Sequence, residues 1–410
     1  MREDVVCRSC GEPGPTVFLD LGDTPLADNL VPADTPPGAD ETFPLEVAFC
    51  RSCSLVQITE EVPPEKLFVD NYLYFSSFSD DLLRHSRDHA LGLIERQRLG
   101  PDSFVVEVAS NDGYLLRNFV EHGIAVLGID PAPTQAEAAA AAGVPTLAEF
   151  FGEDLARGIA AERGRADVIV ANNVMAHVPD LNGFVAGYRE LLKDGGVVTV
   201  ENPYVRDLID HGEFDTIYHE HHCYFSCSAV DALVRRNGLF LNHVEHFPNL
   251  HGGTLRWHLG TRNEPSEAVT AYLRDEREMG MLDIGYYKNF ATRVNAIRDD
   301  LLELLGDLKA EGSTIAAYGA AAKGATLVNF AGIGTDLVDF VVDRNVHKHG
   351  LLMPGVHIPI VGPEALPERR PDYTLLLAWN FKDEILGQQA AYRRAGGRFI
   401  VPVPEPQVVA

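Results

Sequence analysis

No stretch of this 410-residue sequence approaches the roughly 18 uninterrupted apolar residues of a membrane-spanning helix, so no span is expected. A basic excess is missing too. The 34 Lys and Arg are outnumbered by 60 Asp and Glu, the formal charge is −26, and the basic residues are scattered instead of gathered into a patch. Such a chain would repel a phosphate backbone, which argues against a nucleic-acid partner. A small anion could still be held by a few placed donors. The opening Met1-Arg2-Glu3-Asp4 has acids where a secretory signal has basic residues and an apolar stretch. These absences lead to the expectation of a cytoplasmic protein without a membrane partner. Short repeats and a long low-complexity tail are absent as well.

An apolar fraction of 46% and a charged fraction of 23% describe an ordinary globular chain, and its length exceeds one comfortable core, so two or three domains are expected. Four of the six cysteines fall into two knuckles, Cys7-Arg8-Ser9-Cys10 and Cys50-Arg51-Ser52-Cys53. Two C-x-x-C pairs supply four thiolates, enough to close a tetrahedron around zinc with no position left for substrate. Disulfides suit a reducing compartment poorly, and a redox C-x-x-C belongs to a thioredoxin-like unit and does not come twice with near-identical flanks. The segment between the knuckles is rich in Pro, Gly and Asp and could hardly stay folded without metal. Cys7, Cys10, Cys50 and Cys53 are the expected ligands of a structural zinc.

Residues 1–66 read as that module, ending near Pro63-Pro64. The next part begins with a helix from Asp80 to Arg98. Strands are then expected over 104–108, 125–129, 167–171 and 197–201, separated by helices over 114–122, 134–142 and 181–192. That rhythm means a parallel sheet with helices on its faces. Beyond about residue 255, a long helical segment from Glu267 to Ala310 leads into a second nucleotide-fold-like unit. It has a strand over 314–318, the small-residue turn Gly319-Ala320-Ala321-Ala322-Lys323-Gly324, a helix from Ala325, and a strand over 337–342 that ends at Asp343. Further strands are expected over 373–379 and 398–403. The expected architecture is α/β in three parts, 1–66, 67–254 and 255–410, the last two read as copies of one design.

Open parallel sheets bind ligands outside the carboxyl ends of their strands. The first such end carries Glu107-x-Ala109-x-Asn111-Asp112-Gly113, and the second strand closes on Asp130, placed for a bidentate bond to ribose hydroxyls. Asn172 and Asn173 follow a later strand. A dinucleotide fingerprint needs glycines where the pyrophosphate meets the helix N-terminus; here those places hold Ala109 and Asn111, with Asp112 beside them. A carboxylate facing pyrophosphate would cost binding energy. The same turn suits a cofactor carrying an amino acid and a sulfonium cation, S-adenosylmethionine, and favours a methyltransferase over a dehydrogenase.

The run Tyr218-His219-Glu220-His221-His222 puts a phenol, a carboxylate and three imidazoles into five residues. A neutral imidazole can take a proton near neutral pH, a carboxylate can orient it, and a phenol can donate to an oxygen gaining negative charge. A helical zinc motif would need His at i and i+4 with Glu between, which this run lacks. In a regular strand, Tyr218 and Glu220 would point away from His219 and His221. A site using Tyr218, Glu220 and His221 together therefore requires a loop or bend. A structural polar loop is the alternative.

In the order of these motifs the chain resembles the sugar C-methyltransferases of antibiotic deoxysugar biosynthesis. The shared features are the paired C-x-x-C module, Tyr72-x-Tyr74-x-Ser76-Ser77, Glu107 to Gly113, Tyr218-x-Glu220-His221, His251-Gly-Gly-Thr-Leu-Arg256, Tyr318 to Gly324 and Trp379-Asn380. Ala109 stands where the family often has Gly. The resemblance implies a zinc-binding domain, a central S-adenosylmethionine domain and a C-terminal Rossmann-like domain, with a dTDP-linked 4-keto sugar between the last two. It also implies an active site of Tyr72, His177, Tyr218, Glu220 and His221. Base-catalysed enolate formation beside the ketone, at C3 with C5 as the alternative, would precede methyl transfer. The expected base is His221 with its ring held by Glu220, and the expected donor to the enolate oxygen is Tyr218. His177 would contact the sugar, Tyr72 would close over it, and Ser76 would belong to the substrate side. His219 and His222 receive no chemical role. Lys323 has two readings: a phosphate cradle, or a small-residue turn that only packs strand against helix. A nicotinamide-dependent oxidoreductase and a catalytically silent nucleotide-sugar-binding protein remain the rival classes. Oligomeric state is open, and a monomer is compatible.

Overall fold

Alternating burial along two N-terminal segments marks strands with one face inward, where Leu19, Leu21, Leu45, Val47 and Phe49 sit. The computed structural model describes residues 5–63, 67, 75–248, 250 and 252–409. The N-terminal unit contains β1 (Thr16–Pro25), β2 (Val31–Pro32), β3 (Thr42–Phe49) and β4 (Val56–Ile58), with β1, β3 and β4 paired antiparallel in that order.

The central unit follows the predicted alternation. Its strands β5 (Phe104–Val108), β6 (Ala125–Ile129), β7 (Thr146–Leu147), β8 (Ala166–Asn172) and β9 (Leu192–Pro203) run parallel in the order β9-β8-β5-β6-β7. Val105, Val106, Val168, Ile169 and Val170 are fully buried, as expected where helices cover both faces. Strand order reverses at β5, so the sheet's switch point lies at its carboxyl end. After β10 (Cys223–Tyr224), the hairpin β11 (Phe240–Phe247) and β12 (Thr254–Gly260) extends the sheet beyond β9. β10 does not join that sheet. It pairs antiparallel with β4 and so becomes the fourth strand of the N-terminal sheet.

The C-terminal sheet holds β13 (Ile315–Tyr318), β14 (Val341–Val342), β16 (Ile360–Val361), β17 (Tyr373–Leu376), β18 (Arg398–Val401) and β19 (Gln407–Val409), in the order β16-β14-β13-β17-β18-β19, parallel except for the last. Between them β15 (Leu351–Leu352) pairs with β2. One apolar core runs from Leu19 and Phe49 through Val198 to Leu305 and Val328. Phe49 lies 4.8 Å from the Tyr287 ring and ties the first unit to the helices that precede the last.

Two expectations are corrected. The helical segment 267–310 is three helices, Glu267–Glu278, Ile284–Tyr287 and Phe290–Ala310. Gly280 turns left-handed at φ +81° and Asp283 caps the next helix by accepting the Gly285 N–H at 2.7 Å. The helix expected over 114–122 is confined to Arg117–Val120, because Ser110 to Leu116 is spent on turns.

Glu276 shows how the middle of the chain is fixed. Its buried carboxylate accepts the Tyr204 hydroxyl at 2.9 Å, the Cys227 and Ser228 N–H groups at 2.7 and 2.8 Å, and the Ser228 hydroxyl at 2.6 Å. A side chain from one helix thereby caps the N-terminus of another, Cys227–Arg236. Glu276→Ala should strand those donors and lower the thermal midpoint by several degrees, consistent with roughly 3 kcal/mol of lost charge-assisted bonding. Glu276→Gln should recover part of the loss. An unchanged midpoint in Glu276→Ala would show that water replaces the cap without cost.

Candidate active site

The turn after β5 is held in an uncommon backbone shape. Ala109, Asn111 and Gly113 have φ of +57°, +48° and +78°. For Ala109 the left-handed region costs about 1–2 kcal/mol, which is the physical reason a glycine is at home there. The turn is braced from outside. Asp130 at the tip of β6 accepts the Asn111 N–H at 2.9 Å through one oxygen and the Ala132 N–H at 3.0 Å through the other. Bidentate ribose recognition by Asp130 is thus left the second lone pair of each oxygen. Gly113 has no room for a side chain, since a Cβ would sit 2.9 Å from Val144.

The crevice is lined by acidic side chains. Glu107 is fully buried, and burial first, then Asp130 and Asp112, push its carboxyl well above the usual range. Among the described residues, Ser110 Oγ, Asp112 Oδ1 and Asn172 Oδ1 are buried without a hydrogen-bond partner. A cluster of acids and orphaned acceptors at a switch point fits a ligand that brings cations and donors, and it would repel a pyrophosphate. The donor set therefore fits S-adenosylmethionine, with its sulfonium, ammonium and ribose hydroxyls. Ser76, expected on the substrate side, is instead buried against this turn, its N–H on Asn111 Oδ1 at 2.9 Å.

The run 218–222 is a tight turn, closed by the His221 N–H on the Tyr218 carbonyl at 2.9 Å. First and fourth residues of such a turn share a side, so Tyr218 and His221 stack with ring centroids 4.1 Å apart and Tyr218 Oη 3.1 Å from His221 Nε2. His221 Nδ1 lies 2.9 Å from the Thr216 carbonyl. A carbonyl can only accept, so Nδ1 carries the proton and Nε2 presents its lone pair toward the Tyr218 hydroxyl. His177 lies beside them, its ring centroid 4.7 Å from that of His221 and its Nδ1 donating to the Glu220 carbonyl at 2.6 Å. Burial depresses its basicity to about 4, so it is neutral at physiological pH and sets no second positive charge beside His221.

Glu220 does not hold the His221 ring, and that expectation is corrected. As the third residue of the turn it points the other way, where its buried carboxyl accepts the Asp28 N–H at 3.2 Å; burial, then Asp28, raise it to about 8. The residue that orients His221 is Thr216, through a backbone carbonyl for which no side chain gives a signal. Tyr72 lies outside the described residues.

Lys323 is engaged from both sides. Its ammonium lies 4.0 Å above the Trp379 ring centroid and 3.9 Å from Asp215 Oδ2, which also accepts the Trp379 indole N–H at 2.6 Å. The small residues around it pack closely: a Cβ on Gly319 would meet Ala378 at 2.6 Å, and one on Gly324 would meet Leu377 at 2.9 Å. Packing thus explains the glycines, while the lysine stands beside the turn. Asp343 at the tip of β14 accepts the Ala320 N–H at 2.8 Å, the same brace that Asp130 gives Asn111.

Cys7, Cys10, Cys50 and Cys53 put their sulfurs within 4.8 Å of one another. Cys7 to Cys53 and Cys10 to Cys50 are 3.5 Å apart, close to the spacing of about 3.8 Å that a tetrahedral zinc with bonds of about 2.3 Å needs. The donor set and its closure fit a structural zinc.

Family profiles match three consecutive stretches: a zinc binding domain over 7–68, a methyltransferase domain over 82–244 and a C-methyltransferase C-terminal domain over 249–404. The chain is 36% identical over 407 residues to the C-methyltransferase NovU of Streptomyces niveus, covering 98% of this chain and 96% of that one. A ubiquinone biosynthesis O-methyltransferase from Methylobacterium is 30% identical over 128 residues, 29% of this chain and 50% of that protein. Among solved structures, magnesium protoporphyrin IX methyltransferase from Synechocystis matches 43% of the chain and 82% of its own at 14% identity, with a TM-score of 0.35, too low to carry an argument.

Three measurements follow from the site. Elemental analysis should find one zinc per chain, and Cys50→Ser should lose the metal and lower the thermal midpoint; metal-free protein of full stability would contradict the assignment. Asp130→Ala should weaken S-adenosylhomocysteine binding by calorimetry, each charge-assisted bond being worth about 1.5–3 kcal/mol. Stability should fall as pH rises from 7 toward 8. His89, His177 and His222, depressed by burial to about 3, 4 and 3, are neutral in the folded chain across that range. Glu213 and Glu220 are raised by burial to about 8, so the folded chain holds protons the unfolded one has lost, and stability falls as pH rises toward 8. A thermal midpoint that climbs from pH 7 to 8 would overturn this prediction.

Proposed function

The chain belongs to the sugar C-methyltransferase family, and from that premise we propose that it methylates carbon beside the ketone of a dTDP-linked 4-keto-deoxysugar. The observation that carries this reading is the His221 ring, pinned at Nδ1 by Thr216 and touching the Tyr218 hydroxyl through Nε2. We assign the units as residues 1–66 for zinc, 67–254 for the cofactor and 255–410 for the nucleotide sugar, in the cytoplasm, where free thiols persist. Lys348, whose ammonium donates to the Ala320 carbonyl at 2.6 Å, and Lys323 flank the start of helix Ala322–Ala331 and supply two cations for a diphosphate.

Carbon becomes a nucleophile only once a proton beside the carbonyl is removed. C3 and C5 both flank the ketone, and C3 is our assignment. His221 Nε2 takes the C–H proton, and the electron pair moves onto the keto oxygen. The Tyr218 hydroxyl, which donates to Nε2 before the sugar arrives, turns to donate to that oxygen as it gains charge. The resulting imidazolium keeps Nδ1–H on the Thr216 carbonyl, a bond that strengthens on protonation. Neutral His177 adds no repulsion. S-adenosylmethionine, when bound, supplies an electrophilic methyl on a sulfonium. Glu107, Asp130 and Asn172 at the carboxyl ends of β5, β6 and β8 would hold it, and positioning alone would contribute on the order of 7–11 kcal/mol.

The test is mass spectrometry and NMR of a dTDP-4-keto-deoxysugar panel incubated with the methyl donor, alongside exchange of the C3 hydrogen with deuterated solvent. His221→Ala should lose both exchange and methyl transfer, by roughly 10²–10⁴-fold. Tyr218→Phe should cost about 10²-fold or less while exchange remains detectable. Glu220→Gln should leave the pH–rate profile in place, since a carboxyl raised to about 8 is already neutral at pH 7 and does not face the ring. Near-normal turnover in His221→Ala with abolition in His177→Ala would move the base to His177, and a methyl found on C5 would move the reacting carbon.

A further inference from the structure

The contacts that fix the turn 218–222 come largely from another unit. Cys223 and Tyr224, the residues immediately after it, pair with Gln57 and Val56 of β4. The His222 carbonyl accepts the Ile58 N–H at 3.0 Å, while the His222 N–H is held by the Ala176 carbonyl at 2.7 Å. Glu220 accepts the Asp28 N–H, and His219, fully buried, sets Nε2 3.2 Å from the Pro44 carbonyl with its ring edge-on to Phe43 at 5.8 Å. Each of Asp28, Phe43, Pro44 and Val56 to Ile58 belongs to the cysteine-bearing unit.

The path from the sulfurs to the turn is short and continuous. β4 begins three residues after Cys53, and the knuckle before it is closed by the Cys50 N–H on Leu55 O at 2.8 Å and the Ser54 N–H on Cys50 O at 2.9 Å. Gln57 in the middle of β4 reaches the other knuckle. Its Oε1 accepts the Arg8 N–H at 2.9 Å, and its Nε2 donates to the Val6 carbonyl at 3.0 Å. A strand locked to both knuckles is therefore the strand on which the catalytic turn is laid.

We infer that the zinc module is a positioning element of the active site: through β4 and β10 it sets the orientation of Tyr218 and His221, and His219 is the side chain that seats the turn in it. This rests on the reading of His221 as base. Two carbonyls divide the labour, Thr216 holding the base's ring and Pro44 holding its neighbour's. Freed from β4, the turn would keep its residues but lose its register against His177, and a displacement of about 1 Å is enough to cost on the order of 10²-fold in rate.

The test uses the full-length, zinc-loaded protein. His219→Ala should lower kcat by roughly 10–10²-fold and shift the pH–rate profile, with zinc content and S-adenosylhomocysteine affinity preserved. His219→Gln, which keeps an N–H for the Pro44 carbonyl, should recover most of the rate. In a second arm, zinc is withdrawn stepwise with a chelator. Solvent exchange of the C3 hydrogen of a dTDP-4-keto sugar should fall in step with zinc released, backbone amide exchange should rise across 218–224, and S-adenosylhomocysteine should still bind. Exchange chemistry that survives zinc removal overturns the proposal. So does loss of S-adenosylhomocysteine binding in parallel with zinc, which would mean that the metal holds the whole chain and not this turn. If His219→Ala yields no soluble protein, the chelation arm decides alone. Failure of the base assignment looks different, because His221→Ala would then retain exchange.

Discussion

Four sulfurs within 4.8 Å of one another, drawn from two knuckles far apart in sequence, constrain more of this molecule than their own unit. A tetrahedral metal leaves little freedom in how Cys7-to-Cys10 and Cys50-to-Cys53 face each other, and β4 leaves the second knuckle directly. From that unit one ladder, β4 with β10, reaches the turn 218–222, and another, β2 with β15, reaches the C-terminal unit. His357 adds a 2.6 Å contact to Asp40 at that second junction. The small unit is thus bonded to both larger ones.

The two larger units repeat one electrostatic device. A strand ends, the chain turns, and an aspartate at the tip of the neighbouring strand accepts one of the turn's amides, Asp130 for Asn111 and Asp343 for Ala320. The surroundings differ. Glu107, Asp112 and Asp130 crowd the first turn, whereas Lys323 and Lys348 stand by the second. The same aspartate-to-amide brace thus stands among acids in one place and beside lysines in the other.

Much of this was legible in the sequence because it is local. Two C-x-x-C pairs, strands of unbroken Val and Ile, and acids at strand ends are each written within a few residues, and the structure brings Glu107 to Gly113, Asp130 and Asn172 to one edge as their spacing predicts. The turn at 218–222 was legible only in part. Side-chain alternation showed that a bend was required, but not that the bend would pair the first and fourth residues and turn Glu220 away. Thr216, Pro44 and Asp28 give no signal for one reason: they act through backbone groups, the last two from 175 and 192 residues away. The break at Gly280 was hidden by the strong apolar periodicity on either side of it.

Synthesis order gives the β4–β10 ladder a further consequence. At about 5–20 residues per second, roughly 10–30 s separate emergence of Ile58 from that of Cys223. During that interval β4 is an edge strand with apolar residues and unpaired amides, a template for pairing with another chain. The N-terminal unit would therefore be aggregation-prone when produced by itself even with its metal bound, and the native chain must carry an unfinished sheet until its middle third has arrived.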